Sequence, residues 1–332
     1  MTRPVPRIPP NSFGIAFGLA GLGGTWLTAA ESGWAPRAVG EVLSLVGAAV
    51  WLVLLLAYGA HVATRPGLLR SDLTDPVLAP FATLVTITPM LLVARGLTPY
   101  APATAAMVTA VLIGLTVLHG CWFTGQLIHG DYAMDRLHPG YFIPTVAGGL
   151  LSAVAADQIG QTDLAWTLFG YGAISWLLLG SMVLGRLFFG PRLPAALLPT
   201  VAIEVAPSAI AGLAWFSLHD GRIDAVAQFL AGYGVLMVLA QLRLVPDFLR
   251  LRFSLGFWAF AFSWAAVATV TLHWIAQTRP PGGDGLAVLV LAAATLLVGA
   301  VAVRTVVGLR RGTLFPRDAV PATSPPEARA AV

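Results

Sequence analysis

The sequence contains little charge, one cysteine and no lysine. Charged residues make up 10% of the 332 positions, and all 19 basic residues are arginine. The single cysteine, Cys121, excludes an internal disulfide and any metal site built from several cysteines. The arginines are scattered between apolar runs, which argues against a nucleic-acid-binding protein despite the net charge of +4.

Catalytic and cofactor-binding motifs are also missing. The sequence has no HExxH pair, nucleophile elbow, phosphate-binding glycine loop or dinucleotide fingerprint in a fitting context. His119, Cys121 and His129 are too loosely spaced for a metal site, and Asp131 with Asp135 fits a solvated loop better. We therefore expect neither an enzyme nor a bound metal or cofactor.

Apolar residues dominate the chain. They make up 57% of it, a fraction that an ordinary soluble domain could not bury. Ten apolar segments are long enough to cross ~30 Å of hydrocarbon as helices. They cover residues 12–30, 37–62, 76–94, 102–128, 139–157, 163–188, 195–217, 223–243, 254–276 and 285–308. We expect an all-α integral membrane protein with a mobile segment at 1–11, a ten-span domain at 12–310 and a disordered tail at 311–332.

The arginines set the expected orientation in the bilayer. With ten spans, 15 of the 19 arginines fall on the side of the termini, and only Arg37, Arg95, Arg222 and Arg279 fall on the other. Arginine-rich loops stay in the cytoplasm. Both termini should therefore be cytoplasmic.

Prolines and glycines distinguish odd from even spans. Spans 3, 5 and 7 carry interior prolines at Pro89, Pro144 and Pro207, the even spans are predicted to carry none, and span 1 carries glycines that include Gly14 and Gly18. A proline frees a carbonyl one turn earlier, which a membrane tolerates only against protein or water. We expect the odd spans to form an inner ring around a cavity, with the even spans outside.

Span 9 is aromatic in its first half and uncharged at its centre. Phe262 shares a helix face with Trp258, Ala259, Ala265 and Ala266. A large ring beside small residues can plug a narrow conduit. The competing interpretation is that these aromatics face lipid or the membrane interface.

Four segments resemble the TehA-like tellurite-resistance and dicarboxylate transporter family, which also contains the slow-type anion channels of plant guard cells. They are Pro10–Trp26, His138–Ala153, Leu198–Trp215 and Arg252–Thr269. The resemblance covers residues 10–308. It implies a bacterial inner-membrane protein of five helical hairpins, with odd helices around a central pore and even helices outside, assembled as a homotrimer.

The resemblance also implies roles for single residues. Phe262 would be the ring that closes the pore. Kinks shaping the pore would lie at Pro89, Pro144 and Pro207, and the first pore helix would begin at Phe13 and Gly14, with Gly18 one turn further. Ser263 departs from the family pattern, because plant members tend to have proline directly after this phenylalanine.

Glu204 is the second departure, an acid inside span 7 about 8 Å from its cytoplasmic end at a rise of about 1.5 Å per residue. An intramembrane acid is a functional hypothesis by default. It could regulate anions at the inner mouth or accept a proton coupled to transport. Alternatively, it snorkels to the interface or pairs with Arg192 or Arg252.

We expect a channel-like permease for small inorganic or organic anions. No span carries a mid-membrane basic residue that would hold an anion tightly, which favours a conduit selecting by dehydration and pore width. The first alternative is a proton-coupled transporter or efflux pump for dicarboxylate, sulfite or tellurite-type oxyanions. The second is a membrane scaffold or enzyme built on the same bundle.

Overall fold

A computed structural model describes residues 7–130 and 133–315. Within these ranges the chain is helical and contains no strand, which confirms the predicted all-α class. Ten helices are long and apolar enough to cross a membrane. Spans 1 to 10 are, in order, Pro10–Glu31, Arg37–Thr64, Ala79–Gly96, Pro102–His129, Pro139–Gln158, Thr162–Phe189, Leu198–Leu218, Ala225–Leu249, Leu255–Thr278 and Gly283–Arg310. The expectations for Arg3, Asp131, Arg317, Arg329 and most of the tail lie outside the described residues.

Burial separates the odd spans from the even ones. In the odd spans 56–94% of the membrane-crossing residues are buried within the protein, whereas in the even spans only 17–28% are. Each odd span also packs against the even span that follows it. The odd spans therefore form the interior of the bundle, and the even spans present apolar side chains outward.

The odd spans share a second feature, because each begins with turns that are not α-helical. The 3-10 segments are Pro10–Phe13, Ala79–Thr83, Pro139–Tyr141, Leu198–Val205 and Leu255–Phe257, and span 5 continues with a π-helical turn at Ile143–Ala147. Four of these five 3-10 segments have a proline in their first two positions, where the missing N–H costs no hydrogen bond. The helices are thus irregular at one end of the inner ring.

Span 8 corrects one prediction. Its helix runs to Leu249, beyond the predicted end at residue 243, and contains Pro246. The expectation that even spans lack interior prolines was therefore wrong. Pro246 lies in the last turn of the helix, where the carbonyl that it frees is close to the membrane surface.

The first described residues are attached to the bundle by a buried carboxylate. Asp72, in a short helix at Leu68–Thr74, is fully buried, pairs with Arg7 and accepts a hydrogen bond from the Tyr58 hydroxyl at 3.0 Å. A buried carboxylate is stable only when paired in this way. Arg7, in the segment expected to be mobile, is therefore held against the short helix between spans 2 and 3.

Candidate functional site

A small cavity lies in the middle of the inner ring, and all five odd spans line it. Its lining residues include Phe17, Leu84, Ile143, Ile203 and Phe262, one from each odd span. The volume is about 50 Å³, which holds only a few water molecules because one water needs about 10–15 Å³. The lining, drawn from the described residues, contains no charged side chain. The inner ring therefore contains a narrow apolar space that is too small for a hydrated ion.

Phe262 lines this cavity and stacks on a residue of span 1. Its ring lies parallel to that of Phe17, with centroids 3.6 Å apart and an interplanar angle of 15°. A Cβ added at Gly21 would lie 2.9 Å from Cδ2 of Phe262, so the ring also packs on bare backbone. Phe262 is buried, which excludes the interpretation that it faces lipid. Sequence reasoning missed Phe17, although its spacing of four residues from Gly21 places both on one helix face.

Glycine and hydroxyl groups hold spans 1 and 9 together on either side of Phe262. A Cβ at Gly18 would lie 2.7 Å from both Cβ of Ala261 and Cε3 of Trp258, so only glycine fits there. One turn beyond Gly21, the Thr25 hydroxyl lies 3.1 Å from the Ala265 carbonyl oxygen. These contacts fix the helix that carries Phe262.

Of the other predicted pore residues, two line the cavity and two do not. Gly14 and Ser263 line the cavity with Phe262. Phe13 does not, because its ring packs edge-on against Tyr58 of span 2 at 6.1 Å. Gly18 faces span 9 rather than the cavity.

The three predicted kink prolines lie in the inner spans without lining the cavity. Pro89 lies within a continuous α-helix, Leu84–Gly96. Pro144 lies in the π-helical turn of span 5, and Pro207 is the second residue of the α-helix that follows the 3-10 segment of span 7. Pro144 and Pro207 therefore lie at or next to an irregular stretch, whereas Pro89 does not. Ile143 and Ala206, the neighbours of Pro144 and Pro207, reach the cavity instead.

The comparisons with known proteins agree with this architecture. The family model for SLAC1, described as voltage-dependent anion channel, matches residues 7–306. The chain belongs to this family.

Individual proteins are also similar to this chain in sequence. A tellurite resistance protein TehA homolog of Haemophilus influenzae is 28% identical over 321 residues, which cover 95% of this chain and 94% of that protein. S-type anion channel SLAH2 of Arabidopsis thaliana is 25% identical over 96% of this chain and 62% of its own length. S-type anion channel SLAH1 of the same plant is 27% identical over 54% of this chain and 46% of its own length. The chain thus spans about half to two thirds of these plant channels, and the predicted family is confirmed.

Glu204 lies outside the cavity, between its lining and span 8. Its neighbour Ile203 faces the cavity, whereas Glu204 is close enough to Tyr233 of span 8 to interact with it electrostatically. The side chain is only 5% exposed, and its Oε1 has no hydrogen-bond partner among the described residues. Neither snorkelling nor an ion pair with a described arginine accounts for it, so the alternative of pairing with Arg192 or Arg252 is not found.

His119 and His138 form hydrogen bonds with neighbouring residues. The Thr83 hydroxyl lies 2.7 Å from Nδ1 of His119, and the backbone N–H of Gly140 donates to Nδ1 of the buried His138 at 3.1 Å. Within the described part of the chain, no three His, Cys, Asp or Glu side chains lie close enough together to hold a metal ion. These side chains cap or link helices.

Proposed function

We propose that the protein is a channel-like permease for small anions, with a conduit through the five odd spans that Phe262 closes. The observation that carries this proposal is the stack of Phe262 on Phe17 at the edge of a cavity lined by every odd span. Membership of an anion-channel family supports the substrate class. An apolar conduit with no tight site favours ions that shed water easily and leave as readily as they enter.

Few polar groups lie near the constriction, the point where Phe262 stacks on Phe17. This scarcity fits weak binding of an anion. Asn11 and Ser263 are the polar side chains of the cavity lining, and Oδ1 of Asn11 has no hydrogen-bond partner among the described residues. The Asn11 amide and the Ser263 hydroxyl can donate to an anion that reaches the cavity. Neither carries a charge that would trap it.

Opening requires the Phe262 ring to leave Phe17. An aromatic stack of this kind contributes about 0.5–1.5 kcal/mol beyond the area that it buries. Gly21, which the ring also contacts, offers no side chain that would hold it in place. A change of rotamer or a small shift of span 9 is therefore sufficient to open the conduit.

Chloride or nitrate flux through proteoliposomes tests this function. We expect low flux in the wild type and a large rise in Phe262→Ala. Phe260→Ala is the matched control, because Phe260 is on the same helix but packs against Phe248 of span 8 at 4.9 Å, away from the cavity. Equal flux in the wild type and Phe262→Ala would reject the gate.

The second candidate is a proton-coupled transporter or efflux pump for dicarboxylate, sulfite or tellurite-type oxyanions. One observation favours it, the buried Glu204 whose Oε1 has no partner among the described residues. In a coupled carrier, flux saturates, follows the proton gradient and loses that dependence in Glu204→Gln. In the channel that we propose, Glu204→Gln leaves the flux and its pH dependence unchanged.

The proposal also covers the membrane, the orientation and the oligomeric state of the protein. We place the protein in a bacterial inner membrane with both termini cytoplasmic, as the arginine distribution favours, and as a homotrimer in which each subunit has its own conduit. The exposed apolar faces of the even spans are available for contacts with lipid and with neighbouring subunits. Cross-linking in native membranes tests the trimer, and cysteine accessibility at the span ends tests the orientation.

A further inference from the structure

One face of span 1 runs from the cavity to the far end of that span. Gly14 and Phe17 line the cavity, and Gly21 packs on Phe262. Alternating steps of three and four residues continue this face to Gly24, Thr28 and Glu31. Gly21 and Gly24 are partly exposed although their neighbours Leu22 and Gly23 are buried. In the proposed permease, this face continues the conduit past Phe262 toward the end of span 1, which we call the outer end.

The side chain of Arg95, near the end of span 3, lies across this face. Its Nη2 donates hydrogen bonds to the Thr28 hydroxyl at 3.1 Å and to Oε1 of Glu31 at 2.8 Å. A Cβ added at Gly24 would lie 3.8 Å from Nη1 of Arg95. His273 of span 9 is also close enough to interact electrostatically with Arg95 and Glu31. The guanidinium therefore bridges spans 1 and 3 beside span 9, above the constriction.

The other arginines at the outer end differ from Arg95. The side chain of Arg95 is 27% exposed, whereas those of Arg37 and Arg222 are 56% and 77% exposed. Arg37 pairs with Glu41 within span 2, and Arg279 is exposed at the end of span 9. Among the described arginines at this end, Arg95 is the one partly buried against the conduit face.

We infer that Arg95 is an anion-binding residue at the outer end of the conduit, and that Glu31 occupies it as a tethered competitor. The inference deepens the proposed anion permease and rests on it. The ligand class is a small inorganic anion or a carboxylate, because a guanidinium presents a planar set of donors that matches both. Both hydrogen bonds use Nη2, so a first anion can reach Nη1 and Nε, and Glu31 competes with it by neutralising the charge of the guanidinium.

Competition follows from the geometry of the pair. The Glu31 side chain is 55% exposed, so its carboxylate can swing into solvent at little cost. An anion at Arg95 then replaces one exposed ion pair with another, and the site stays weak enough to release the ion. Thr28, which is buried, keeps the guanidinium in place when Glu31 leaves.

Isotopic chloride exchange at equal concentrations on both sides measures this site in either orientation of the protein. The exchange is followed in the Phe262→Ala background, where the gate no longer limits flux. We expect Arg95→Gln to raise the half-saturating chloride concentration by about fivefold or more, as expected for the loss of one unit-charge contact. Glu31→Gln should lower it, because the tethered competitor is gone.

Arg37→Gln and Glu41→Gln are the matched controls. This pair has the same charges and the same 2.8 Å separation at the same end of the bundle, but lies within span 2, outside the inner ring. Each control should change the half-saturating concentration by less than about twofold, since it alters only screened surface charge. If Arg95→Gln behaves like Arg37→Gln, the inference is wrong.

A binding measurement separates failure of this inference from failure of the proposed function. In detergent, chloride at constant ionic strength, with gluconate as the balancing anion, should raise the Tm of the wild type. The rise should be larger in Glu31→Gln and absent in Arg95→Gln. If Phe262→Ala carries no exchange, the permease proposal fails and the Tm series still decides the Arg95 site. Equal Tm shifts in all three proteins would overturn it.

Discussion

The indole nitrogen of Trp51, on span 2, donates a hydrogen bond to the carbonyl oxygen of Val85 at 3.0 Å. Val85 is four residues before Pro89, so its carbonyl lacks the helical N–H that any other residue at position 89 would supply. An outer span thus satisfies the carbonyl that a proline frees in the inner ring. This contact explains how span 3 tolerates a proline inside an α-helix.

Trp51→Phe should therefore destabilise the protein by about 1 kcal/mol, within the range for hydrogen bonds between membrane helices. The measurement is the free energy of unfolding in detergent. In the Pro89→Ala background, the backbone N–H restored at position 89 can reach the Val85 carbonyl, so Trp51→Phe should cost clearly less there. Equal costs in both backgrounds would show that the proline and the indole are not coupled.

Gly18→Ala should loosen the contact between spans 1 and 9. The new methyl group would lie 2.7 Å from Cβ of Ala261, so a helix must move, and we expect a loss of about 1–3 kcal/mol in unfolding free energy. Gly114→Ala is the control, because a Cβ there meets nothing within 4 Å. It should be neutral or stabilising by up to about 1 kcal/mol, the helix preference of alanine over glycine. If both variants lose the same stability, close packing at Gly18 is not the cause.

The sequence alone predicts the large-scale features of this fold, because the bilayer imposes them. Span lengths follow from hydrocarbon thickness, and the inner ring follows from prolines such as Pro89 and Pro144, which need protein or water around them. The bilayer also explains why the proline at position 246, inside span 8, was not predicted. Helix ends extend into the interface, where a freed carbonyl is not costly and apolar periodicity no longer marks the boundary.

The partners of single side chains could not be predicted in this way. Phe262 stands out as a large ring among alanines, but nothing local indicates that Phe17, 245 positions earlier in the chain, stacks on it. Phe13 faces away from the cavity because it lies in the 3-10 turn at the start of span 1, whereas Gly18 lies in the α-helix and packs on span 9. The contact of Arg95 with Glu31 likewise depends on how spans 1 and 3 end relative to each other.

Asp224, just before span 8, should make stability depend on acidic pH. Its Oδ1 accepts hydrogen bonds from the Ala227 N–H and the Trp215 indole, both at 2.9 Å, and the first of these is the main cause that lowers the pKa of the carboxyl. A pKa lowered by folding stabilises the protein above the ordinary aspartate pKa of about 3.9, and this contribution is lost as pH falls through the folded value.

The Tm of the wild type should therefore exceed that of Asp224→Ala at neutral pH, with a gap that narrows as the pH falls below about 4. Thermal unfolding in detergent across this range gives the measurement. Asp224→Asn, which keeps an N-cap acceptor without a titrating group, should show little of this dependence on pH. A gap between the wild type and Asp224→Ala that stays constant from about pH 6 to about pH 3 would contradict the assignment.

Phe17→Ala should open the conduit in part. The variant keeps the Phe262 ring but removes the surface on which it stacks, so the closed state loses about 0.5–1.5 kcal/mol, and anion flux should rise by about 2- to 12-fold. The rise should be smaller than in Phe262→Ala, because the ring still occupies the constriction. Phe13→Ala is the control, since Phe13 is fully buried on the same span but packs on Tyr58.

The control should lower the stability of the protein without raising its flux, which separates loss of packing from loss of the gate. In the double variant Phe17→Ala with Phe262→Ala, flux should equal that of Phe262→Ala alone, because Phe17 acts only through the ring that it holds. If Phe17→Ala raises flux equally whether or not Phe262 is present, Phe17 obstructs the conduit itself and the stack is not the closing contact.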